Sequence, residues 1–301
     1  MTLEHTFATI RPMALEMLFL GTGTSAGVPM IGCDCEVCRS TDPRDKRCRP
    51  SVLISYDQPV GPTGEPVHRH LLIDATAELR ATAVQYRINR LDAVLITHAH
   101  ADHVFGLDDL RRYNALQGGP LDLYADEATQ QALRHMFRYI FEPHTNPNKS
   151  FIAEFLVQTI EPGVSVDLYG VSCTPLRLMH GRLPIIGYRF DYQGYSIAYC
   201  TDVSSFPPQT YPLLADLDVL VIDALRYRHH PTHMTVDQAL EQIDHIRPKR
   251  AYLTHIAHDI RHAELEANLP EHVFLPFDGL SVRCGADGYE RHSPAEKKRH
   301  G

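Results

Sequence analysis

Short runs of aliphatic and β-branched residues recur along the chain, separated by turn-forming Gly, Pro, Asn and Asp. Residues 16–20, 51–56, 70–74, 93–97, 121–125, 171–178, 187–192, 195–200, 219–223, 251–254 and 280–284 are predicted strands on this pattern. Helical spacing of apolar residues predicts helices over 77–87, 107–114, 127–139 and 236–246, with a short one near 263–268. That many strands exceed one small sheet. Strands with helices interspersed, and a strand-rich end to each half, predict an α/β architecture of two sheets sandwiched between helical layers. No Gly/Ser/Pro linker divides the halves, so residues 1–301 are expected to form one domain with its core over about 16–283. The turn-rich stretch 59–66 is expected to extend a hairpin, and 285–301, polar and basic toward its end, to be a flexible tail.

Composition narrows the class. Hydrophobic residues make up 44% and charged residues 22% of 301, with no apolar run long enough for a membrane span. The start, Met1-Thr2-Leu3-Glu4-His5, lacks the features of a secretory signal, which predicts a cytoplasmic address. Seven cysteines, three of them in Cys33-Asp34-Cys35-Glu36-Val37-Cys38, suit thiolate–metal chemistry in a reducing compartment better than a disulfide framework. A formal charge of −8 disfavours nucleic acid as a partner, because gripping phosphates needs clustered Lys and Arg.

The strongest local signal is Thr97-His98-Ala99-His100-Ala101-Asp102-His103, where an apolar strand ends in four potential ligands within six residues. Side chains at i and i+2 of an extended segment point the same way, so His98 and His100 can grip one cation. The turn into the next helix directs Asp102 and His103 toward a second. This His-x-His-x-Asp-His run resembles the hallmark of the metallo-β-lactamase superfamily, and that resemblance implies an αββα four-layer sandwich of two mixed sheets flanked by helices. It also requires further ligands at later strand ends, and the chain supplies His180 in Met179-His180-Gly181, Asp202 in Cys200-Thr201-Asp202 and His255 in Leu253-Thr254-His255.

Carried over on that resemblance, His98, His100, His180 and Asp202 would hold one metal, and Asp102, His103, Asp202 and His255 the other, with Asp202 bridging. Asp74 matches a carboxylate that orients the ligands from behind without binding metal. Cys33, Cys35 and Cys38, followed by Asp42-Pro43-Arg44-Asp45, suit a tetrahedral structural Zn²⁺ completed by His258. The combination resembles the branch containing the phosphoribosyl cyclic phosphate phosphodiesterase of the phosphonate pathway, over roughly residues 16–283. The departures are the 59–66 hairpin and the histidine-rich Tyr227-Arg228-His229-His230-Pro231-Thr232-His233-Met234-Thr235. His233 lies 22 residues before His255, the spacing of a functional His in related phosphodiesterases, including the His-x-Thr element of ribonuclease Z. With Asp102 it is assigned to catalysis, as phosphate-oxygen donor or general acid, and His230 is the second choice.

The expected activity is that of a binuclear hydrolase cleaving a small cyclic phosphodiester by metal-bridged hydroxide, with two catalytic Mn²⁺ or Zn²⁺ ions and one structural Zn²⁺. The resemblance implies a homodimer. Two alternatives share the scaffold: an RNA-processing nuclease of the ribonuclease Z type and a thioester or lactone hydrolase. A third is a non-catalytic metal-binding protein that kept the fold.

Overall fold

The computed structural model describes residues 14–60, 64–145, 151–285 and 288–292. Strands β1 (Leu15–Gly21), β2 (Ser51–Gln58), β3 (Val67–Ile73), β4 (Ala93–Leu95), β5 (Leu121–Ala125) and β6 (Phe155–Thr159) build most of the first sheet. The second takes β7 (Val166–Leu168), β8 (Val171–His180), β9 (Leu183–Tyr192), β10 (Tyr195–Cys200), β11 (Val219–Asp223), β12 (Arg250–Thr254) and β13 (Val273–Phe274). β14 (Ser281–Gly285) and β15 (Gly288–His292) then return to the first sheet beside β1, giving the orders β15-β14-β1-β2-β3-β4-β5-β6 and β13-β12-β11-β10-β9-β8-β7.

Alternation along the strands separates the layers. In β1, Leu15, Met17 and Phe19 face the second sheet, where they share a core with Tyr188, Phe190, Tyr199, Val219, Val221 and Tyr252. The opposite face of the first sheet, through Leu20, Leu53, Leu72 and Val94, packs on α1 (Leu79–Gln85), the short α2 (Ala101–Val104), α3 (Arg111–Gln117), α4 (Glu127–Met136) and α5 (Arg138–Phe141). The outer face of the second sheet, through Leu220, Ile222, Ala251 and Leu253, packs on α6 (Val236–Ile246) and α7 (His262–Glu266). The four-layer sandwich expected from the sequence is the one observed.

Four differences from the sequence reading have physical causes. The helix expected over 127–139 breaks at Phe137, whose φ of −114° and ψ of 46° leave the helical region while its own ring packs into the core and meets the exposed Phe105 edge-on. β6 was not predicted because, at the sheet edge, it has no sustained buried face for a period-2 pattern to report. β7 and β13 are three and two residues long, below the length at which periodicity shows. The expected tail over 285–301 instead begins as β15: Tyr289 donates a hydrogen bond to Asp218 at 2.6 Å, and the Arg250 guanidinium lies 4.7 Å from its ring centre. Residues 293–301 and the tip of the 59–66 hairpin, residues 61–63, lie outside the described residues, while β2 and β3 pair from Val52–Ile73 out to Gln58–Val67.

The two sheets are tied together where the candidate site lies. The Ile186 N–H donates to the Thr97 carbonyl at 3.0 Å, and the Tyr188 hydroxyl donates to the Ile96 carbonyl at 2.7 Å. Both bonds satisfy the carbonyls that β4 leaves unpaired as it ends, and so fix the take-off of the loop carrying His98.

Candidate metal centre

Apart from Asp102 and His103, which lie in α2, the groups of the candidate centre sit at or just beyond strand ends. Asp74 follows β3, His98 follows β4, His180 ends β8, Asp202 follows β10, Asp223 ends β11 and His255 follows β12. Asp74, Asp202 and His255 have φ of 63°, 56° and 61°, a left-handed conformation that costs L-residues energy and turns each side chain toward the common cleft. Three of the eight non-glycine residues with positive φ among the described residues thus belong to this cluster.

Asp74 organises the first loop. Its Oδ1 accepts from the Thr97 N–H at 2.8 Å, and its Oδ2 accepts from the Thr97 hydroxyl at 2.9 Å and from His103 Nδ1 at 2.7 Å. Because Nδ1 of His103 donates to Asp74, Nε2 is the nitrogen turned to the cleft. It lies 3.4 Å from Asp102 and 3.3 Å from Asp202, buried and without a hydrogen bond. His255 repeats the arrangement with Nε2 3.2 Å from Asp202, again without a hydrogen bond. On the other side, His98 Nε2 and His100 Nδ1 stand 2.9 Å apart, close to the roughly 3 Å that separates two nitrogens bound at right angles about 2.0–2.1 Å from one ion. His180 donates through Nδ1 to the Thr232 carbonyl at 2.9 Å, which frees its Nε2.

Donor atoms of His98, His100 and His180 lie within 4.8 Å of one another, as do those of Asp102, His103, Asp202 and His255. The charges suit cations. Burial lowers His98, His100, His180 and His255 below the usual histidine range, leaving neutral rings with available lone pairs. Burial opposes ionisation of Asp202, but the neighbouring His255 and His103 outweigh it and hold the carboxylate ionised. Burial likewise pushes His103 down, yet Asp202 and Asp74 prevail and hold it well above its ordinary value. A positive charge is favoured at this point, and divalent ions would supply it.

A second donor set lies apart from this cleft. The Sγ atoms of Cys33, Cys35 and Cys38 are 3.2, 3.4 and 3.7 Å from His258 Nδ1. Tetrahedral zinc with bonds of about 2.3 Å to sulfur and 2.0–2.1 Å to nitrogen places such atoms roughly 3.6 Å apart, so the four donors fit that ion. The Cys38 N–H donates to Cys35 Sγ, and this bond leads the causes that lower the Cys35 thiol to about 6. All seven cysteines are free.

His233 borders the first centre. Its Nδ1 donates to Asp223 Oδ2 at 2.6 Å, its ring stacks on His255 at 4.5 Å and 13°, and it meets His180 edge-on at 4.6 Å. A ring nitrogen lies within 4.8 Å of donor atoms of His180 and Asp202. His230 is further out: its ring centre is 5.0 Å from that of His233, and its Nδ1 accepts from Thr232. The sequence reading missed Asp223, a fully buried carboxylate whose Oδ2 is also 3.9 Å from His255 Nδ1. The available signal was an acidic residue closing an apolar strand, the pattern that singled out Asp74 and Asp202.

Comparison with known proteins identifies the family. The model of the β-lactamase superfamily domain matches residues 69–256. A solved diphosphatase from the PhnP family is 39% identical, with a TM-score of 0.78 over 89% of this chain and 96% of its own. Zinc-bound PqqB from Methylobacterium extorquens shares the fold at 20% identity and a TM-score of 0.68, over 88% of this chain and 99% of its own. An octanoyltransferase from Porphyromonas gingivalis is 36% identical over 89% of this chain, which spans about half, 51%, of that protein's length. No helix among the described residues is long and apolar enough to cross a membrane. From its four-layer fold, its strand-end histidines and carboxylates and these matches, the chain belongs to the metallo-β-lactamase superfamily, with similarity to the PhnP-family diphosphatase.

Proposed function

We propose that this protein is a metal-dependent phosphoric diester hydrolase whose substrate is a small cyclic phosphodiester of the phosphoribosyl cyclic phosphate kind. The observation that carries the reading is the adjacency of two donor sets, joined where His180 of one lies within 4.8 Å of Asp202 of the other, with His233 beside them and held by Asp223. Two divalent ions, Mn²⁺ or Zn²⁺, would be held by His98, His100, His180 and Asp202 and by Asp102, His103, Asp202 and His255; when bound they supply Lewis acidity toward phosphoryl oxygens and an activated water. Cys33, Cys35, Cys38 and His258 would hold a structural Zn²⁺.

The protein's own groups account for orientation and proton transfer. Asp74 keeps the proton of His103 on Nδ1. Asp223 accepts from His233 Nδ1 in the same way, so His233 Nε2 is the nitrogen that meets a phosphoryl oxygen or the leaving group, and it passes on a proton from the doubly protonated ring. A general acid in that place contributes about 10²–10⁴-fold to the rate. The PhnP-family diphosphatase supports a phosphoryl substrate, and in a disubstituted diphosphate each phosphorus carries two bridging oxygens, as in a cyclic diester. Cleavage at phosphorus bonded to two ester or anhydride oxygens is the chemistry common to both. Its free cysteines suit a cytoplasmic setting.

A second reading, thioester hydrolysis, is favoured by the likeness to the octanoyltransferase, half of which lies outside the match. Activated water at this centre can attack carbonyl carbon as well as phosphorus. The test is an assay of holoenzyme loaded with Mn²⁺ or Zn²⁺ on a ribose cyclic phosphate, a disubstituted diphosphate and an octanoyl thioester. The cyclic diester is expected to give the highest kcat/KM, at least 100-fold above the thioester. The reverse ranking would establish the second reading.

A further inference from the structure

A cavity of about 810 Å³ lies between the cysteine lobe and α1, and none of the histidines or aspartates of the metal centre lines it. It belongs to no step proposed above. Its volume falls in the range of small-ligand sites, roughly 300–1,000 Å³.

The wall is divided by polarity. Residues 44–49 contribute four cationic side chains, against two carboxylates in the whole lining, in a chain whose formal charge is −8. Val28, Ile31, Tyr86 and Phe277 give an apolar surface, and Ile31, at the lip, is 97% exposed.

Two cations retain donors for a ligand. Lys46 uses one N–H on the Cys38 carbonyl at 3.0 Å and has two more. Arg49 donates through Nε to the Ser25 carbonyl at 2.9 Å and through Nη1 to Glu78, which leaves Nη2. The frame is rigid: buried Arg47 donates to the Thr22 hydroxyl at 2.7 Å, the Pro276 carbonyl at 2.9 Å and His262 Nδ1 at 3.0 Å.

We propose that this cavity is a second binding site, for a small organic anion whose carboxylate or phosphate-type head meets Lys46 and Arg49 and whose apolar body lies against Val28, Ile31, Tyr86 and Phe277. Among the described residues Lys46 makes no ion pair, so the head supplies its counter-charge, while Arg49, already paired with Glu78, adds the remaining N–H. The body removes apolar surface from water at about 25 cal/mol per Å².

Calorimetric titration of the metal-loaded protein with 4-phenylbutyrate, phenylphosphonate and, as a head-only control, inorganic phosphate tests this. Phenylbutyrate or phenylphosphonate is expected to bind with a stoichiometry of one, and which of them binds tighter identifies the head. Lys46→Glu and Ile31→Asp, both at solvent-accessible positions, are each expected to weaken binding at least tenfold while turnover of bis(p-nitrophenyl) phosphate is unchanged. Three results would overturn the proposal: no binding of either organic anion, affinity unchanged in both variants, or inorganic phosphate binding as tightly as the larger anions. Competition between the bound anion and bis(p-nitrophenyl) phosphate would place it at the metal centre and overturn the proposal equally.

Discussion

Asp223 and His233 form a buried pair, Oδ2 to Nδ1 at 2.6 Å, in which the carboxylate is wholly enclosed and the imidazole reaches the edge of the metal centre. The bond fixes which nitrogen faces a substrate. His233→Ala is expected to lower kcat by about 10²–10⁴-fold with metal content unchanged by elemental analysis. Asp223→Asn should also lower kcat, by less, because a neutral amide stabilises the doubly protonated ring less than a carboxylate does. Full activity in His233→Ala would remove it from the mechanism.

Asp202 belongs to the donor set of Asp102, His103 and His255, lies within 4.8 Å of His180 in the other set, and is almost completely buried. Asp202→Ala is expected to abolish measurable turnover and to lower metal content at both positions. Retention of two catalytic equivalents per chain would show that the ions are held without it.

Cys35 tests the separate donor set. In Cys35→Ala one zinc equivalent should be lost while the catalytic metals still load. A loss of a few kcal/mol corresponds to a fall in Tm of roughly 5–10 °C for a chain of this size. An unchanged zinc count would rule out the structural site.

Much of this centre was legible because its residues end apolar strands, where periodicity breaks abruptly against His or Asp. His98 through His103 were visible as a run, and His180, Asp202 and His255 as isolated cases of the same pattern. Asp223 ends β11 in the same way but has no neighbouring His in sequence; its partner is ten residues on, beyond a loop. The Arg47 hub was illegible for a different reason. Its partners Thr22, His262 and Pro276 are separated by up to 229 positions, and only the folded chain brings them together. Strands β6, β7 and β13 escaped because an edge position or extreme shortness erases the alternation that reports a strand.

His262 gives a pH dependence with a definite sign. It is fully buried, its Nδ1 accepts from Arg47, and burial, then Arg47 and Arg44, lower it from 6.5 to about 3. The unfolded chain takes up a proton near 6.5 that the folded chain refuses until about 3. Stability from this group is therefore present above pH 6.5 and is lost as pH falls toward 3. His262→Gln should flatten the acid side of a stability–pH curve over that window, measured by urea unfolding. An equally steep curve in the variant would assign acid lability to other groups.

Asp74→Asn isolates tautomer control from charge at the ligands themselves. The amide oxygen can still accept from the Thr97 N–H, as Oδ1 of Asp74 does. The NH₂ group then replaces Oδ2, the atom that accepts from the Thr97 hydroxyl and from His103 Nδ1. Two donors now face each other, so His103 is driven to carry its proton on Nε2, where it blocks the lone pair directed at Asp102 and Asp202. Loss of such a supporting bond weakens metal affinity or activity by about 10–100-fold. The loss should fall on the ion held by Asp102, His103, Asp202 and His255, leaving the His98, His100 and His180 position nearly intact, so competitive metal titration should resolve one weakened and one ordinary site. Equal weakening of both positions would mean that Asp74 supports the loop as a whole and does not act through the His103 ring.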